Sequence, residues 1–151
     1  MKFAYRIADG RYIIYSSTGA ELLGGRWNSP GRKVIYAAET YSLAMLEKLI
    51  HSTRATPPRG HLFVVIEIPD EVSVETVDPD ELEGWNDEDQ RASRTFGDQW
   101  YDERRSAILR VPSAVTQGPE MNLVINMQHP DHDHIIVGPP REVIWDPRLF
   151  R

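Results

Sequence analysis

Apolar and polar residues alternate from the start of the chain. Phe3, Tyr5 and Ile7 fall on one side and Arg6 on the other, which predicts a strand over Phe3–Ala8. Tyr12–Tyr15 reads as a second, short extended piece. Ser16–Ser29 is rich in Gly, Ser and Thr and reads as a loop with one ordered polar stretch, closed by a turn at Pro30-Gly31. Val34–Ala38 is a short apolar strand. The period then changes. Over Tyr41–His51, Leu43, Leu46, Leu49 and Ile50 recur at helical spacing and mark a face turned to the core. Pro57-Pro58-Arg59-Gly60 ends that helical region. His61–Ile68 is the clearest strand, stopped by Pro69, and Val72–Val77 alternates as a pairing partner for it. Arg91–Arg105 predicts a second helix, with Phe96 and Trp100 four residues apart. Ser106–Val111 returns to strand character before Pro112. Leu123, Val124 and Ile125 form a compact apolar group, and His134–Val137 and Glu142–Trp145 read as final strands. Strands and helices interleave without a regular strand–helix repeat, which favours an α+β fold.

One residue breaks the pattern. Glu47 lies four residues after Leu43 and three before Ile50, on or beside the apolar face of its helix. A carboxylate there must be paired, hydrogen-bonded, protonated or used. It is either half of a structural ion pair, with Arg26 or Arg6, or a working group.

Composition narrows the choices. At 151 residues the chain has room for one domain, 1–151, with one real core. Lys and Arg number 17 against 23 Asp and Glu, a net charge of −6. That is a poor match to nucleic-acid phosphates, and no Lys/Arg block offsets it. Cysteine is absent, which removes disulfides, Cys-ligated zinc and Cys nucleophiles and fits a reducing, cytoplasmic setting. No apolar run reaches the ~20 residues of a membrane span, and the N-terminal residues lack a signal-peptide pattern. The acidic stretch Asp78–Gln90 reads as a solvated loop and helix start or as a docking surface.

Other candidates carry two readings each. In Gly24-Gly25-Arg26-Trp27-Asn28, the glycines permit positive φ or close backbone approach. Arg26 can present a fork to phosphate or carboxylate, and Trp27 either stacks on a ring or packs. Tyr36 is a core tyrosine or a stacking platform. Ser113 follows Pro112 at a strand end without a Gly-x-Ser-x-Gly elbow, so it donates to a ligand or caps a turn. His129, His132 and His134, with Asp131 and Asp133, have the composition of a metal site, but the tract reads as a loop and turn.

Taken in order, these features resemble the RES domain. The resemblance rests on Tyr5-Arg6-Ile7, Gly25-Arg26-Trp27-Asn28, Ile35-Tyr36-Ala37-Ala38, Leu46-Glu47 with Leu49 and His51, Val111-Pro112-Ser113-Ala114, and Asn122 with Asn126 and His129-Pro130. It spans about Phe3 to Phe150. Met127 departs from it, standing where relatives commonly carry proline. The resemblance implies an ADP-ribosyltransferase-like domain with a mixed, split β-sheet flanked by helices. It implies a toxin of a bacterial toxin–antitoxin pair that consumes NAD⁺, with an Xre-type DNA-binding antitoxin and a homodimer inside that complex. It also implies that Arg26, Tyr36, Glu47 and Ser113 are catalytic, and that Arg6, Arg26, Trp27, Asn28, Tyr36, Asn126 and His129 bind NAD⁺. No metal or further cofactor is implied. The alternatives are a metal-dependent hydrolase built on His129, His132 and His134, and a non-catalytic partner-binding module.

Overall fold

The computed structural model describes residues 1–51 and 58–150. Pro57, part of the predicted helix end, lies outside the described residues. The element order is β1 (Lys2–Asp9), α1 (Thr18–Leu23), β2 (Val34–Ala38), α2 (Tyr41–Ile50), β3 (His61–Ile68), β4 (Val74–Thr76), α3 (Arg91–Asp102), β5 (Ile108–Pro112), β6 (Met121–Asn126), β7 (Ile136–Val137) and β8 (Arg141–Glu142). The strands form one sheet in the order β4-β5-β6-β2-β1-β3-β7, with β8 also on β3. β4 and β5 are parallel and the other pairs antiparallel, so the sheet is mixed and the fold is α+β as expected.

The period-two alternation of β2 and β6 divides the core. Ile35, Ala37, Leu123 and Ile125 point to one face and pack with Ala4, Ile14, Ile66 and Ile108. Val34 and Val124 point to the other, under Trp27, Trp85 and Trp100. Beside that second cluster, α2 lays Leu43 and Ala44 on Ile7 and Ala38. So α2 and α3 cover two patches of one face, and room remains between them.

The sheet is pinched open at its centre. β1 pairs with β3 through eight register positions but with β2 only at Tyr5↔Ala38. Arg6 fills the divergence. Its Nη1 donates to the carbonyl of Tyr36 at 2.9 Å and its Nε to that of Ile14 at 2.7 Å. A side chain thus satisfies a β2 carbonyl beyond the point where the β1–β2 ladder stops.

Several elements differ from the sequence expectation. Tyr12–Tyr15 is a turn, not a strand; it drops Ile14 into the core and leaves Ile13 at the surface. Part of the Ser16–Ser29 loop is helix, α1. Val72–Val77 supplies β4, which joins β5 at the far edge rather than β3, because β1, β7 and β8 already occupy both sides of β3. His134–Val137 and Glu142–Trp145 shrink to the two-residue strands β7 and β8. Pro130–His134 winds as a 3-10 turn, and Val143 and Trp145 pack irregularly on α2's cluster.

The tight turn after α1 is locked from two sides. Gly25 and Asn28 form an isolated bridge. The Tyr36 hydroxyl accepts from the Trp27 N–H at 3.0 Å and donates to Asn28 Oδ1 at 2.6 Å. A Cβ on Gly25 would fall 2.6 Å from that hydroxyl, and one on Gly97 of α3 would fall 1.7 Å from the Trp27 carbonyl oxygen. Both glycines are there for close approach. Gly97→Ala is therefore expected to destabilise the protein by about 3 kcal/mol, the upper part of the overpacking range, measured by denaturant unfolding. Tyr36→Phe should lower stability by about 1–3 kcal/mol in the same assay, since it strands the Trp27 N–H and the Asn28 carbonyl.

Candidate active site

The space between α2, α3 and the open centre of the sheet is a cleft of about 990 Å³. That is the upper end of the roughly 300–1,000 Å³ range for small-molecule sites. Glu47 reaches it from α2. The Thr40 side chain caps that helix by accepting from the Leu43 N–H at 3.1 Å. The buried face carries Leu43 and Ala44, while Leu46 and Ile50 are 41% and 60% exposed. The helix is thus turned by roughly one residue step, about 100°, from the face its leucines mark. Glu47 and Lys48 come to line the cleft as a result.

Glu47 is hydrogen-bonded, not ion-paired. Ser113 Oγ donates to its Oε1 at 2.9 Å and Asn122 Nδ2 to the same oxygen at 2.7 Å. Ser113 is wholly buried at the end of β5, and Asn122 sits opposite Val111 on β6. The residue that follows β5 and one on β6 therefore hold one oxygen, and among the described residues no donor reaches Oε2. The alternative reading, a structural pair of Glu47 with Arg26 or Arg6, does not hold: among the described residues Glu47 is in no ion pair.

Arg26 is anchored by backbone instead. Its Nη1 donates to the carbonyls of Asp87 at 3.0 Å and Trp85 at 3.3 Å, which ties the acidic Asp78–Gln90 stretch to the cleft; among the described residues Nε and Nη2 have no acceptor. Arg94 on α3 donates Nε to the Gly25 carbonyl and Nη2 to Gln90 Oε1. Arg6 and Lys48 complete the cationic lining. Burial lowers the proton affinity of both, and Arg6 adds to the effect on Lys48. Four cations thus meet the carboxylates of Glu47 and Glu88, and none of the four is in an ion pair among the described residues. Five arginines outside the cleft behave otherwise: Arg11, Arg32, Arg105, Arg110 and Arg148 all sit on carboxylates.

Tyr36 lines the cleft with its hydroxyl tied down, and burial pushes that hydroxyl's pKa up. Trp27 turns its indole into the core against Phe96, so it packs rather than stacks on a ligand. Asn28 is buried and gives both amide hydrogens to the Ala20 and Ser29 carbonyls; it holds Tyr36 and does not line the cleft. Ser113 likewise lies behind Glu47.

Asn126 and His129 are elsewhere. Four residues of strand, about 13 Å, separate Asn126 from Asn122. Asn126 Oδ1 accepts from the Gln128 N–H, and His129 Nδ1 accepts from the Asp131 N–H. Both shape the turn after β6 and neither lines the cleft. The histidine tract does not converge: His132 meets the Tyr15 hydroxyl at 2.9 Å, and His134 faces Glu71. Among the described residues no group of three or more His, Asp or Glu is placed to hold a metal. Sequence reasoning missed Lys48, Arg94 and the role of Asn122. The signal available for Lys48 was its place next to Glu47 on a half-buried helix.

Residues 3–146 match the RES domain family. The Prs ADP-ribosylating toxin of Sphingobium sp. (strain YBL2) is 41% identical over 140 residues, covering 90% of this chain and 86% of that protein. A Toxin Res from Yersinia enterocolitica is 34% identical over 149 residues, covering 96% and 97%. The crystal structure of the M. tuberculosis MbcT–MbcA toxin–antitoxin complex contains a chain of similar fold, with TM-score 0.73, 19% identity, and coverage of 99% of this chain and 86% of that one. With its family shown by sequence and its fold by structure, the chain belongs to the RES domain family.

Proposed function

We propose that the chain is the toxin of a toxin–antitoxin pair and consumes NAD⁺ by breaking the bond between nicotinamide and ribose. The observation that carries this reading is a carboxylate fixed through one oxygen, at a cleft whose four cations are in no ion pair among the described residues. The relatives named as toxins, one of them ADP-ribosylating, support it.

The chemistry follows from the groups present. As the C–N bond breaks, its electron pair passes to the pyridinium nitrogen and nicotinamide leaves neutral. The ribose is left as an oxocarbenium-like cation, as in glycoside cleavage. Oε2 of Glu47 faces that charge or a ribose hydroxyl, and its fixed orientation requires little reorganisation during the reaction. The diphosphate meets Arg26 with Arg94, or Arg6 with Lys48. Each arginine is already held by a backbone carbonyl, so little side-chain freedom is lost on binding. The ring of Tyr36 offers a face to nicotinamide. Water, phosphate or a protein nucleophile then takes the ribosyl carbon, and Glu47 serves any of them.

The partner we assign is an antitoxin of the Xre type, in a complex that contains a toxin homodimer. The setting is the cytoplasm. The protein's acidity leaves DNA contact to the antitoxin. The metal-hydrolase alternative is disfavoured because its three histidines face different partners.

Two variants test the reading in a cell-free preparation, with NAD⁺ and its products followed by mass spectrometry. Glu47→Gln should slow NAD⁺ loss roughly 10²- to 10³-fold or more while the thermal transition persists. Wild-type turnover in that variant would refute the assignment. Lys48→Ala should raise the KM for NAD⁺ about tenfold with a smaller change in kcat, the worth of one charge-assisted contact. An unchanged KM would remove Lys48 from the anion site.

A further inference from the structure

Asn122 is built into the site in a way its fold position does not require. It is on β6 opposite Ala38 of β2 and Val111 of β5, in a sheet region whose neighbours are apolar. Its Nδ2 is spent on Glu47 Oε1, the shorter of the two bonds that oxygen accepts. Its Oδ1 is buried and has no hydrogen-bond partner among the described residues. A buried acceptor left unpaired is a standing cost to stability, and a native structure retains one where something else depends on it. The amide cannot be turned over to relieve it, because the carbonyl would then face the Glu47 carboxylate.

We infer that Asn122 is a positioning residue for the reaction: its amide and the Ser113 hydroxyl together lock Oε1 of Glu47 and so aim Oε2 at the ribose. This rests on the NAD⁺ reading above. A single donor would let the carboxylate swing about its remaining bond. Two donors, one on β6 and one just past the end of its neighbour β5, fix both the plane of the carboxylate and the oxygen it presents. The donors are not equivalent. Ser113 is also approached by the Thr116 N–H at 3.4 Å and belongs to the turn after β5, so its loss disturbs a loop. Among the described residues the Asn122 side chain makes no hydrogen bond except the one to Glu47. Its removal therefore isolates the positioning effect.

The test compares wild type with Asn122→Ala and Asn122→Asp in the NAD⁺ assay, alongside thermal unfolding. Asn122→Ala should keep or raise the melting temperature, because it deletes an unpaired acceptor. Its kcat should nevertheless fall roughly 10- to 100-fold with little change in KM, as expected when a reacting group loses its alignment but the substrate anchors remain. Asn122→Asp places a second carboxylate against Glu47. The like charge favours the protonated acid, so the acid limb of the kcat profile should move to higher pH and activity should recover as pH rises. An Asn122→Ala protein with wild-type kcat overturns the inference. So does one that cannot fold, which would make the residue structural, or an Asn122→Asp profile that matches wild type. If wild type itself leaves NAD⁺ intact, the parent reading has failed, a result separable from any of these.

Discussion

A carboxylate set into the sheet-facing side of a helix has to be satisfied, and the way Glu47 is satisfied organises the centre of this molecule. Both of its hydrogen bonds fall on one oxygen and come from the end of β5 at Ser113 and from Asn122 on the adjacent β6. A salt bridge would have met the same burial requirement. It would also have consumed the charge and filled the cleft with an arginine side chain. Neutral donors hold the carboxylate while leaving its charge unspent. That is why the arginines near the cleft can take backbone carbonyls as partners and keep other N–H groups free.

The cleft exists because the sheet does not close on itself. β1 leaves β2 after one paired position, and Arg6 repairs the backbone there. On the other flank α3 is drawn close to the turn at Trp27 by having no side chain at Gly97. The same turn grips the Tyr36 hydroxyl through Trp27 and Asn28. Asn28 therefore acts at one remove, and Trp27, its indole packed against Phe96, is part of the wall itself.

Much of this was legible in the sequence, and the failures have physical causes. Local periodicity placed α2, α3 and the strands β1, β2, β3 and β5, because each carries enough apolar residues to declare its period. It misread which side of α2 is buried. Leucine spacing weighs size, whereas the helix settles where small residues allow approach, on Ala44 over Ala38. It paired Val72–Val77 with the wrong strand, because pairing depends on which edges are vacant and no local pattern encodes that. The short strands β7 and β8 have two residues each, too few to show a period. Among site residues, order along the chain grouped Asn122 with Asn126 and His129, yet strand geometry separates them. Asn122 stands at the cleft and the others shape a turn about 13 Å or more away. Lys48 had one local signal, its place beside Glu47, but Arg94 was illegible, since nothing local distinguishes a cation that will lack a partner.

That last distinction is the one with functional content. Net charge reports the whole surface, and at −6 it argues against an anionic ligand. The structure divides the charges by position. Arg11, Arg32, Arg105, Arg110 and Arg148 are quenched by neighbouring carboxylates, and pairs of that kind contribute little to stability. In the cleft, Arg6, Arg26 and Arg94 are held by backbone dipoles, Arg6 and Lys48 are partly desolvated, and the lining carries a surplus of positive charge. Partial burial strengthens their field and limits screening by salt, so the cleft attracts anions even though the whole protein does not. Within that field a single carboxylate, turned to expose one oxygen, is the natural place for a developing cation. A ligand with a doubly charged diphosphate and a sugar that becomes cationic as it reacts matches both halves of this layout. A purely structural Glu47–Arg26 pair would have produced neither.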